Sequence, residues 1–487
     1  MGLGICLYPP FHWTARWTFL AILVGLATLV CVDIEEWGSI ITRMSGKISG
    51  VTPSLWKECT TCDCYRAKRW RHFQGQDILN FTHVVRLVDR ARIKMIHKLK
   101  IDYGDVYFTK LFEEETTSHL PLYKTLFIDA TPESSAWNRL KQQLQIKLLS
   151  MRQKVMQQDN RFCEPVVSGT SNGADESRFL FEKFVYASAG HSSAAGHGNF
   201  ERDSYAAVLS RAVSEVFESI GIEFEARNYG MTAMSSAPEL ALCIDSVYGL
   251  DIDFITWDFG QKESGVFWKL PLFVYRAGIL SPNRPTILGL HLKEHFSDLM
   301  LLAMQNSKIL NILVMDRQKM HDILGNLPDM YGLSDQEIQA FPPLVRNFKC
   351  QGLIEQGIPF CGEERFNKSI CPKRNFMGIW HPGWKRLALS GNLMAVMLTD
   401  VLLEAVRELV LLTEYKDPAT LLSELQTVNR VSKREFQAFY EGLLDRSRID
   451  SYVNFTTLHG VTPEMVYTSR SLCHIAKLPG MKTALLC

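Results

Sequence analysis

Short apolar runs alternate with amphipathic segments from residue 179 onward, and this alternation predicts the fold. The run Phe184–Ala189 is bounded by glycine and predicts the first strand. Four further apolar runs predict four more strands: Ile222–Tyr229, Ile252–Trp257, Pro285–Leu292 and Ile309–Met315. Runs that are apolar throughout are typical of parallel strands buried on both faces.

The segments between these runs have the spacing of helices. After Asp203, which can cap a helix, an apolar stripe recurs at three- and four-residue steps until Gly221. Ser236–Glu239 reads Ser-Ala-Pro-Glu and predicts a capping box. A long last helix starts near Leu387. Alternating strands and helices predict a three-layer α/β/α fold with a parallel, flavodoxin-like sheet.

The N-terminal segment has a different pattern. Residues 17–33 contain a 16-residue uncharged apolar run, with Arg16 before it and acidic residues after it. This favours a transmembrane signal anchor with a cytoplasmic tail at 1–16 and a luminal body, so that the membrane is a partner. A cleaved signal peptide and a buried core helix are the alternatives.

The rest of the chain divides by composition. Residues 34–178 predict a luminal stem and linker, 179–415 the catalytic domain and 416–487 a peripheral C-terminal extension. Within the stem, Ser134–Gln158 has an amphipathic stripe. Such a helix packs on its own domain or pairs with a second copy as a short coiled coil, and the first is the more ordinary outcome.

Composition excludes one class of partner and favours one compartment. The net charge is +1, so there is no basic excess for nucleic acid binding. Sequons at Asn80, Asn367 and Asn454 fit a luminal body in the endoplasmic reticulum, in the Golgi or at the cell surface. Ten of the twelve cysteines follow the apolar run and would lie in an oxidising compartment, with Cys361–Cys371 the expected bridge.

Two cysteine and histidine groups raise the question of metal binding. Cys59, Cys62 and Cys64 lack a second matched pair, so disulfides are expected instead. His191 and His197 lie in a glycine-rich loop without a helical i,i+4 pair or nearby acids, which favours loop hydrogen bonding. No metal or other cofactor is predicted.

The most informative segment is Lys183–Asn199, which reads KFVYASAGHSSAAGHGN. A strand that ends at glycine presents the following serines at the carboxyl edge of the sheet, where open α/β folds bind ligands. About 190 residues later, His381 lies in the turn Trp380–Trp384 before the last helix. A serine and a histidine are the minimum for acyl transfer through a covalent intermediate.

These blocks, over residues 180–412, resemble the SGNH (GDSL-type) hydrolase and acyltransferase superfamily, in a divergent membrane-anchored branch. The resemblance implies that Ser192 is the nucleophile and that His381 is the general base. It also implies an oxyanion hole formed by the backbone N–H groups of Ser192 and Gly230. The alternatives are a turn role for Ser192 and a helix-capping role for His381.

The chain departs from the family pattern in its first and third blocks. His191 stands where the family usually has aspartate. Lys262 stands at the place of the asparagine that completes the oxyanion hole. Gln261 or Asn199 could supply an amide donor instead. Loss of one such donor typically costs about 10²–10³ in rate.

The last block lacks its usual acid. Gly378 occupies the position three residues before His381, where the family has a carboxylate. Asp258, Asp316, Glu363 or a backbone carbonyl could orient the histidine instead.

Together these features predict a single-pass type II membrane protein whose luminal domain is a serine esterase or O-acyltransferase. Its substrate would be a small-molecule or glycan ester. A non-catalytic binding or scaffold protein of the same fold is the alternative. A glycosyltransferase ranks below both, because Asp251-Ile252-Asp253 precedes an apolar strand instead of following one.

Overall fold

The computed structural model describes fifteen ranges of the chain, all in the compact unit 75–487. They are residues 78–113, 126–128, 135–162, 182–196, 201–231, 234–260, 263, 269–290, 312–346, 348–350, 353–354, 382–443, 446–447, 450 and 462–468. The predicted anchor at 17–33, the sequons at Asn367 and Asn454 and the Cys361–Cys371 bridge lie outside them. Within these ranges, none of the helices combines the length and the apolar character that a bilayer span requires.

The centre of the described chain is a six-stranded sheet. Its strands are β1 (Phe127–Ile128), β2 (Glu182–Gly190), β3 (Ile222–Gly230), β4 (Phe254–Asp258), β5 (Thr286–Gly289) and β6 (Ile312–Met315). Their order is β1-β6-β5-β4-β2-β3, with β1 antiparallel and the other five parallel. Numbered among themselves, the parallel strands run 2-1-3-4-5, which is the flavodoxin-like order. The predicted α/β class and parallel sheet are confirmed.

Eleven α-helices accompany the sheet in the described residues, together with a small antiparallel pair, β7 (Lys349–Cys350) and β8 (Leu353–Ile354). The helices are α1 (Phe81–Tyr103), α2 (Asp105–Phe108), α3 (Ser135–Phe162), α4 (Tyr205–Glu218), α5 (Ile244–Tyr248), α6 (Lys269–Tyr275), α7 (Arg317–Gly325), α8 (Asp335–Gln339), α9 (Trp384–Tyr415), α10 (Pro418–Leu443) and α11 (Pro463–Thr468).

Helices cover both faces of the sheet, in agreement with a three-layer arrangement. Ala187, Ala189 and Trp257 point into an apolar core shared with α5, α6 and α11. Alternate residues point the other way, because successive strand side chains face opposite sides. On that side Ser188 hydrogen-bonds Tyr205 of α4, and Thr286 hydrogen-bonds a glutamine of α3.

Helix α4 forms where its apolar stripe predicts it, with one correction at its start. Its N-cap is Ser204, whose hydroxyl accepts the Ala207 N–H at 3.3 Å, and not Asp203. The stripe is buried, and the chain leaves the helix through Gly221 at φ 75°. This conformation favours glycine, which explains the position of the stop.

The predicted capping box at Ser236 is wrong. The Ala237–Pro238 peptide is cis, and Ala237 has extended backbone angles that interrupt the expected first turn. The Ser236 hydroxyl donates to Glu263 instead of capping a helix. The helix Ile244–Tyr248 forms further along the segment, and it ends before Gly249 at φ 102° as predicted.

The amphipathic stripe of α3 packs on its own domain. Its apolar side chains are buried: Trp137, Leu140, Leu144, Leu148, Met151 and Val155. Trp137 Nε1 donates to Glu404 Oε2 of α9 at 2.7 Å, and Arg139 donates to the Asn283 carbonyl at 2.6 Å. This part of the segment expected to form a stem therefore belongs to the same compact unit as the sheet.

Part of the C-terminal extension is also integrated rather than peripheral. Val466 and Tyr467 of α11 are buried in the core beneath α6. The Arg276 guanidinium donates to the carbonyls of Ala241, Leu242 and Val466, and so connects α11 to the segment before α5.

Candidate functional site

The serine-bearing loop emerges at the topological switch point of the sheet. Strand β2 lies between β3 and β4, so the connection that follows β2 leads to β3 on one side and the connection that follows β4 leads to β5 on the other. Gly190 is the last residue of β2, and it pairs with Gly230 on one side and with Asp258 on the other. Open α/β sheets bind ligands in the crevice at this point, beyond the carboxyl ends of the strands.

Gly190 and Gly230 allow the loop to pack closely against the ends of the neighbouring strands. A Cβ at Gly190 would lie 2.4 Å from Ala194 Cβ and 2.9 Å from Asp258 Cβ. A Cβ at Gly230 would lie 2.1 Å from the Ala195 nitrogen. Neither position has room for a side chain, so the glycines fix how closely residues 191–196 approach both strands.

Residues 191–196 form a compact turn. The His191 N–H donates to the Asp258 carbonyl at 3.2 Å, and the Ala195 N–H donates back to the His191 carbonyl at 3.1 Å. The Gly196 N–H donates to the Ser193 carbonyl at 3.0 Å, and Gly196 has φ 74°. Ser192 is 6 % exposed within this turn. The backbone therefore fixes the position from which the Ser192 hydroxyl acts.

The His191 imidazole contacts both serines. Its Nδ1 lies 3.3 Å from Ser192 Oγ and accepts the Ser193 N–H at 3.2 Å. Because a backbone N–H only donates, we assign the lone pair to Nδ1 and the ring proton to Nε2. A side-chain acceptor at the start of a turn is the role that an aspartate serves well. His191 supplies such an acceptor at the start of this turn.

Beneath the turn lies a buried group of hydroxyls. The Ser188 hydroxyl donates to Tyr205 Oη at 2.8 Å, and Tyr186 Oη lies 3.1 Å from Thr256 Oγ1. Burial raises the pKa of both tyrosines above the ordinary value, and the negative charge of Asp258 acts in the same direction. The phenols therefore stay neutral at physiological pH and serve as hydrogen-bond donors or acceptors rather than bases.

The predicted oxyanion donor Gly230 is close to the turn, but its N–H already has an acceptor. It donates to Asn228 Oδ1 at 3.0 Å. That contact would have to exchange before the Gly230 N–H could bind an oxyanion. The second predicted amide donor, Asn199, lies outside the described residues, as do Gln261 and Lys262.

The two described candidate acids have different positions. Asp258 ends β4 beside Gly190 and is fully buried at this edge of the sheet. Asp316 follows β6, three strands from β2, which corresponds to about 14 Å across the sheet. Its carboxylate accepts the Lys319 N–H at 3.0 Å and caps α7. The structure therefore brings Asp258 to the serine turn and gives Asp316 a capping role. The third candidate, Glu363, lies outside the described residues.

His381 also lies outside the described residues, but the chain that follows it can be placed. A cavity of about 230 Å³ between α1, α4 and α9 is lined by both Trp384 and Asp203. Next to Asp203, Ser204 Cβ would be 3.3 Å from a Cβ at Gly196. The start of α9 and the turn after Ser192 therefore both approach the N-terminal end of α4.

A second polar cluster near the switch point could not be recognised from spacing alone. Glu263 is buried and accepts the Ser235 hydroxyl, the Ser236 N–H and the Ser236 hydroxyl, each at 2.6 Å. Lys269 Nζ donates to Ser235 Oγ and lies 3.8 Å from Glu263 Oε1. Burial raises the pKa of Glu263, while the serines and Lys269 oppose that rise. The cluster ties the segment after β3 to the segment after β4. The sequence signal that could have revealed this cluster is the pair of serines that follows β3.

The two carboxylates of the motif Asp251-Ile252-Asp253, which precedes β4, both have basic partners. Arg227 donates two hydrogen bonds to Asp251, each at 2.7 Å. Lys147 Nζ lies 3.2 Å from Asp253 Oδ2, which also accepts the Val185 N–H at 2.8 Å. In the part of the chain that the structure describes, no cluster of three or more histidine, cysteine or acidic side chains has the arrangement of a metal site.

The fold and this edge define an α/β protein with five parallel strands in the order 2-1-3-4-5 and a serine-bearing turn at the switch point. A scan against protein-family models and searches of curated proteins and of solved structures found no match to the chain.

Proposed function

We propose that this protein is a serine-dependent esterase or O-acyltransferase of the SGNH type, with Ser192 as its nucleophile. One observation carries the proposal: the Ser192 hydroxyl lies at the switch point of the sheet, 3.3 Å from an imidazole nitrogen. A serine hydroxyl becomes nucleophilic when a base removes its proton as it attacks, and imidazole is the usual base near neutral pH.

The proposed reaction has two steps. Ser192 Oγ attacks the ester carbonyl carbon while its proton passes to an imidazole, and backbone N–H groups stabilise the oxyanion. The C–O bond of the ester then breaks, and the imidazole gives its proton to the departing alcohol. Water or a second alcohol releases the acyl group from Ser192 in the same way. The resemblance assigns this base to His381, which lies outside the described residues, whereas the imidazole nitrogen that lies 3.3 Å from Ser192 Oγ belongs to His191.

The compartment and the substrate class are part of the proposal. Cys243 is disulfide-bonded, which supports an oxidising environment. Asn80 of the first sequon is exposed at the start of α1, where a glycan can be accommodated. A membrane anchor at 17–33 would hold the domain in the lumen as a type II protein. There, small-molecule or glycan esters are the proposed substrates.

A non-catalytic binding or scaffold protein is the second candidate, and one observation favours it. The Gly230 N–H is held by Asn228, so one expected oxyanion donor is engaged in the structure. A fold that kept its serine turn but not its oxyanion hole would bind ligands without transforming them.

Labelling with a fluorophosphonate probe separates the two candidates. We expect the wild-type protein to label, with the adduct on Ser192 by peptide mass spectrometry, and Ser192→Ala not to label. Ser214→Ala is the matched control, because that hydroxyl bonds the Ser210 carbonyl within α4, away from the turn. Equal labelling of wild type and Ser192→Ala, or none in either, would contradict the proposal.

A further inference from the structure

We propose that His191, the residue before the nucleophile, is itself a general base for Ser192, and that its protonation frees the Ser193 N–H to bind the oxyanion. The inference rests on the proposed function and adds a catalytic residue to it. It depends on two contacts of one nitrogen: His191 Nδ1 lies 3.3 Å from Ser192 Oγ and 3.2 Å from the Ser193 nitrogen.

The first step of the argument is the protonation state of the ring. The Ser193 N–H points a proton at Nδ1, so Nδ1 carries the lone pair before reaction. His191 is only 2 % exposed, and its peptide N–H donates to the Asp258 carbonyl. The backbone bonds of His191 and Ser193 therefore hold an unprotonated nitrogen beside the Ser192 hydroxyl.

The second step is the proton transfer. As Ser192 Oγ forms its bond to the carbonyl carbon, the hydroxyl proton moves to His191 Nδ1 and the carbonyl π electrons move to oxygen. When the C–O bond to the leaving group breaks, the proton passes from Nδ1 to the departing alkoxide. The imidazole is neutral again after each half-reaction, so no further reactant is required beyond the ester and the acceptor alcohol or water.

The third step follows from the geometry of Nδ1. A protonated Nδ1 has no lone pair, so it can no longer accept the Ser193 N–H. That N–H becomes available at the moment when negative charge develops on the substrate oxygen. The N–H of the residue after the nucleophile is a common oxyanion donor in serine hydrolases of α/β folds. One proton transfer would thus activate Ser192 and complete the oxyanion hole.

Tyr186, Tyr205 and Asp258 are titratable groups near the serine turn. Tyr186 and Tyr205 have raised pKa values through burial, so they stay protonated near neutral pH. The backbone carbonyl of Asp258 accepts the His191 N–H, and its carboxylate on β4 is the negative charge that raises the pKa of Tyr205 further.

His191→Asn tests the inference, because an asparagine oxygen can accept the Ser193 N–H but cannot take up a proton. We expect this variant to melt close to wild type and to label with fluorophosphonate about 10²–10⁴-fold more slowly. We also expect it to lose the rise in labelling rate with pH that an imidazole base produces. His191→Ala should lose the turn contact as well as the rate.

The outcomes separate the inference from the proposed function. Wild-type labelling on Ser192 with an unchanged rate and pH profile in His191→Asn would overturn the role of His191 alone. Absence of Ser192 labelling in the wild type would overturn both. His381→Gln, measured beside His191→Asn, shows which of the two histidines acts as the base. Retained pH dependence in His381→Gln together with its loss in His191→Asn supports the inference. The reverse result contradicts it.

Discussion

The peptide N–H of His191 donates to the carbonyl oxygen of Asp258 at 3.2 Å. This bond joins the first residue after β2 to the last residue of β4, across the switch point of the sheet. It continues the register in which Gly190 pairs with Asp258, so the serine turn begins as an extension of the sheet itself. The position of the Ser192 hydroxyl therefore depends on how closely the two strand ends approach.

Gly190→Ala should disrupt that approach. The added methyl would lie 2.4 Å from the Ala194 side-chain methyl and 3.0 Å from the Asp258 backbone carbonyl oxygen, and neither group is the end of a flexible side chain. We expect a loss of about 1–3 kcal/mol in the free energy of unfolding, as for other overpacked sites, and loss of Ser192 labelling. Denaturant titration and probe labelling of the purified variant measure the two effects.

Gly325→Ala is the matched control for that variant. Gly325 ends α7 and has no atom within 4 Å of an added Cβ. Its alanine variant should unfold within about 1 kcal/mol of wild type and label at the wild-type rate. If Gly190→Ala behaved like Gly325→Ala, the close packing of the turn on Asp258 would not hold in solution.

The strands and the glycine at the switch point could be predicted from sequence because their signals are local. An apolar run that ends at glycine fixes both the strand and the place where the chain turns. The Ser236 turn could not be predicted in the same way. Its hydroxyl bonds Glu263, which is 27 residues away, and that long-range contact replaces the local capping pattern. The apolar stripe of α3 predicted a packed helix, but not that Trp137 would hydrogen-bond Glu404.

The candidate site likewise combines features that the local sequence predicts with contacts that only the fold produces. The sequence identifies Ser192 as following a strand, and the sheet order then brings Asp258 beside Gly190, the last residue of that strand. The contact between His191 and Ser192 depends on the turn geometry and on a side-chain rotamer. Residue types alone therefore favoured loop hydrogen bonding for His191 and did not point to a base.

Asp253 should make stability depend on pH in an unusual direction. Burial raises the pKa of its carboxyl to about 6, although Lys147 opposes that rise. Because the folded-state pKa lies above the unfolded value near 3.9, this group stabilises the fold fully below about pH 4. That contribution is lost as pH rises through 6, by about 3 kcal/mol in total.

Asp253→Asn isolates this effect, since an amide oxygen can still accept the Val185 N–H. Relative to the variant, the wild-type protein should lose stability between pH 4 and 7. Urea titrations of both proteins across that range give the difference at each pH. A constant difference would mean that the carboxyl titrates near its ordinary pKa in the folded protein.

Trp137 should contribute strongly to stability through the packing of α3 against α9. Its ring is fully buried, and Nε1 donates to Glu404 Oε2 at 2.7 Å. Trp137→Ala should cost about 3–5 kcal/mol by leaving a cavity. Trp137→Phe keeps most of the apolar area and removes the donor, so it should cost about 1–3 kcal/mol. Denaturant unfolding measures both variants. Near-equal stability of Trp137→Ala and wild type would contradict the docking of α3 on the body.

Asn80 provides a test of the proposed luminal compartment. It is exposed, and its Oδ1 accepts the His83 N–H at 3.3 Å as the N-cap of α1. A glycan attaches through the side-chain nitrogen, so glycosylation and capping are compatible. When the full chain is expressed in a secretory cell, we expect an endoglycosidase-sensitive adduct at Asn80, mapped by peptide mass spectrometry. Asn80→Asp should remove the adduct and keep the cap, because aspartate accepts the same N–H.

Thr82→Ala is the matched variant for that experiment. Thr82 is exposed in the first turn of α1, and its replacement removes the sequon while Asn80 stays in place. Both variants should lose the same adduct and melt close to the deglycosylated wild type. Asn80→Ala, which lacks any acceptor, should instead lose about 1 kcal/mol of stability. An unmodified Asn80 in wild-type protein recovered from such cells would argue against a luminal domain, because an exposed sequon at a helix start is accessible to modification.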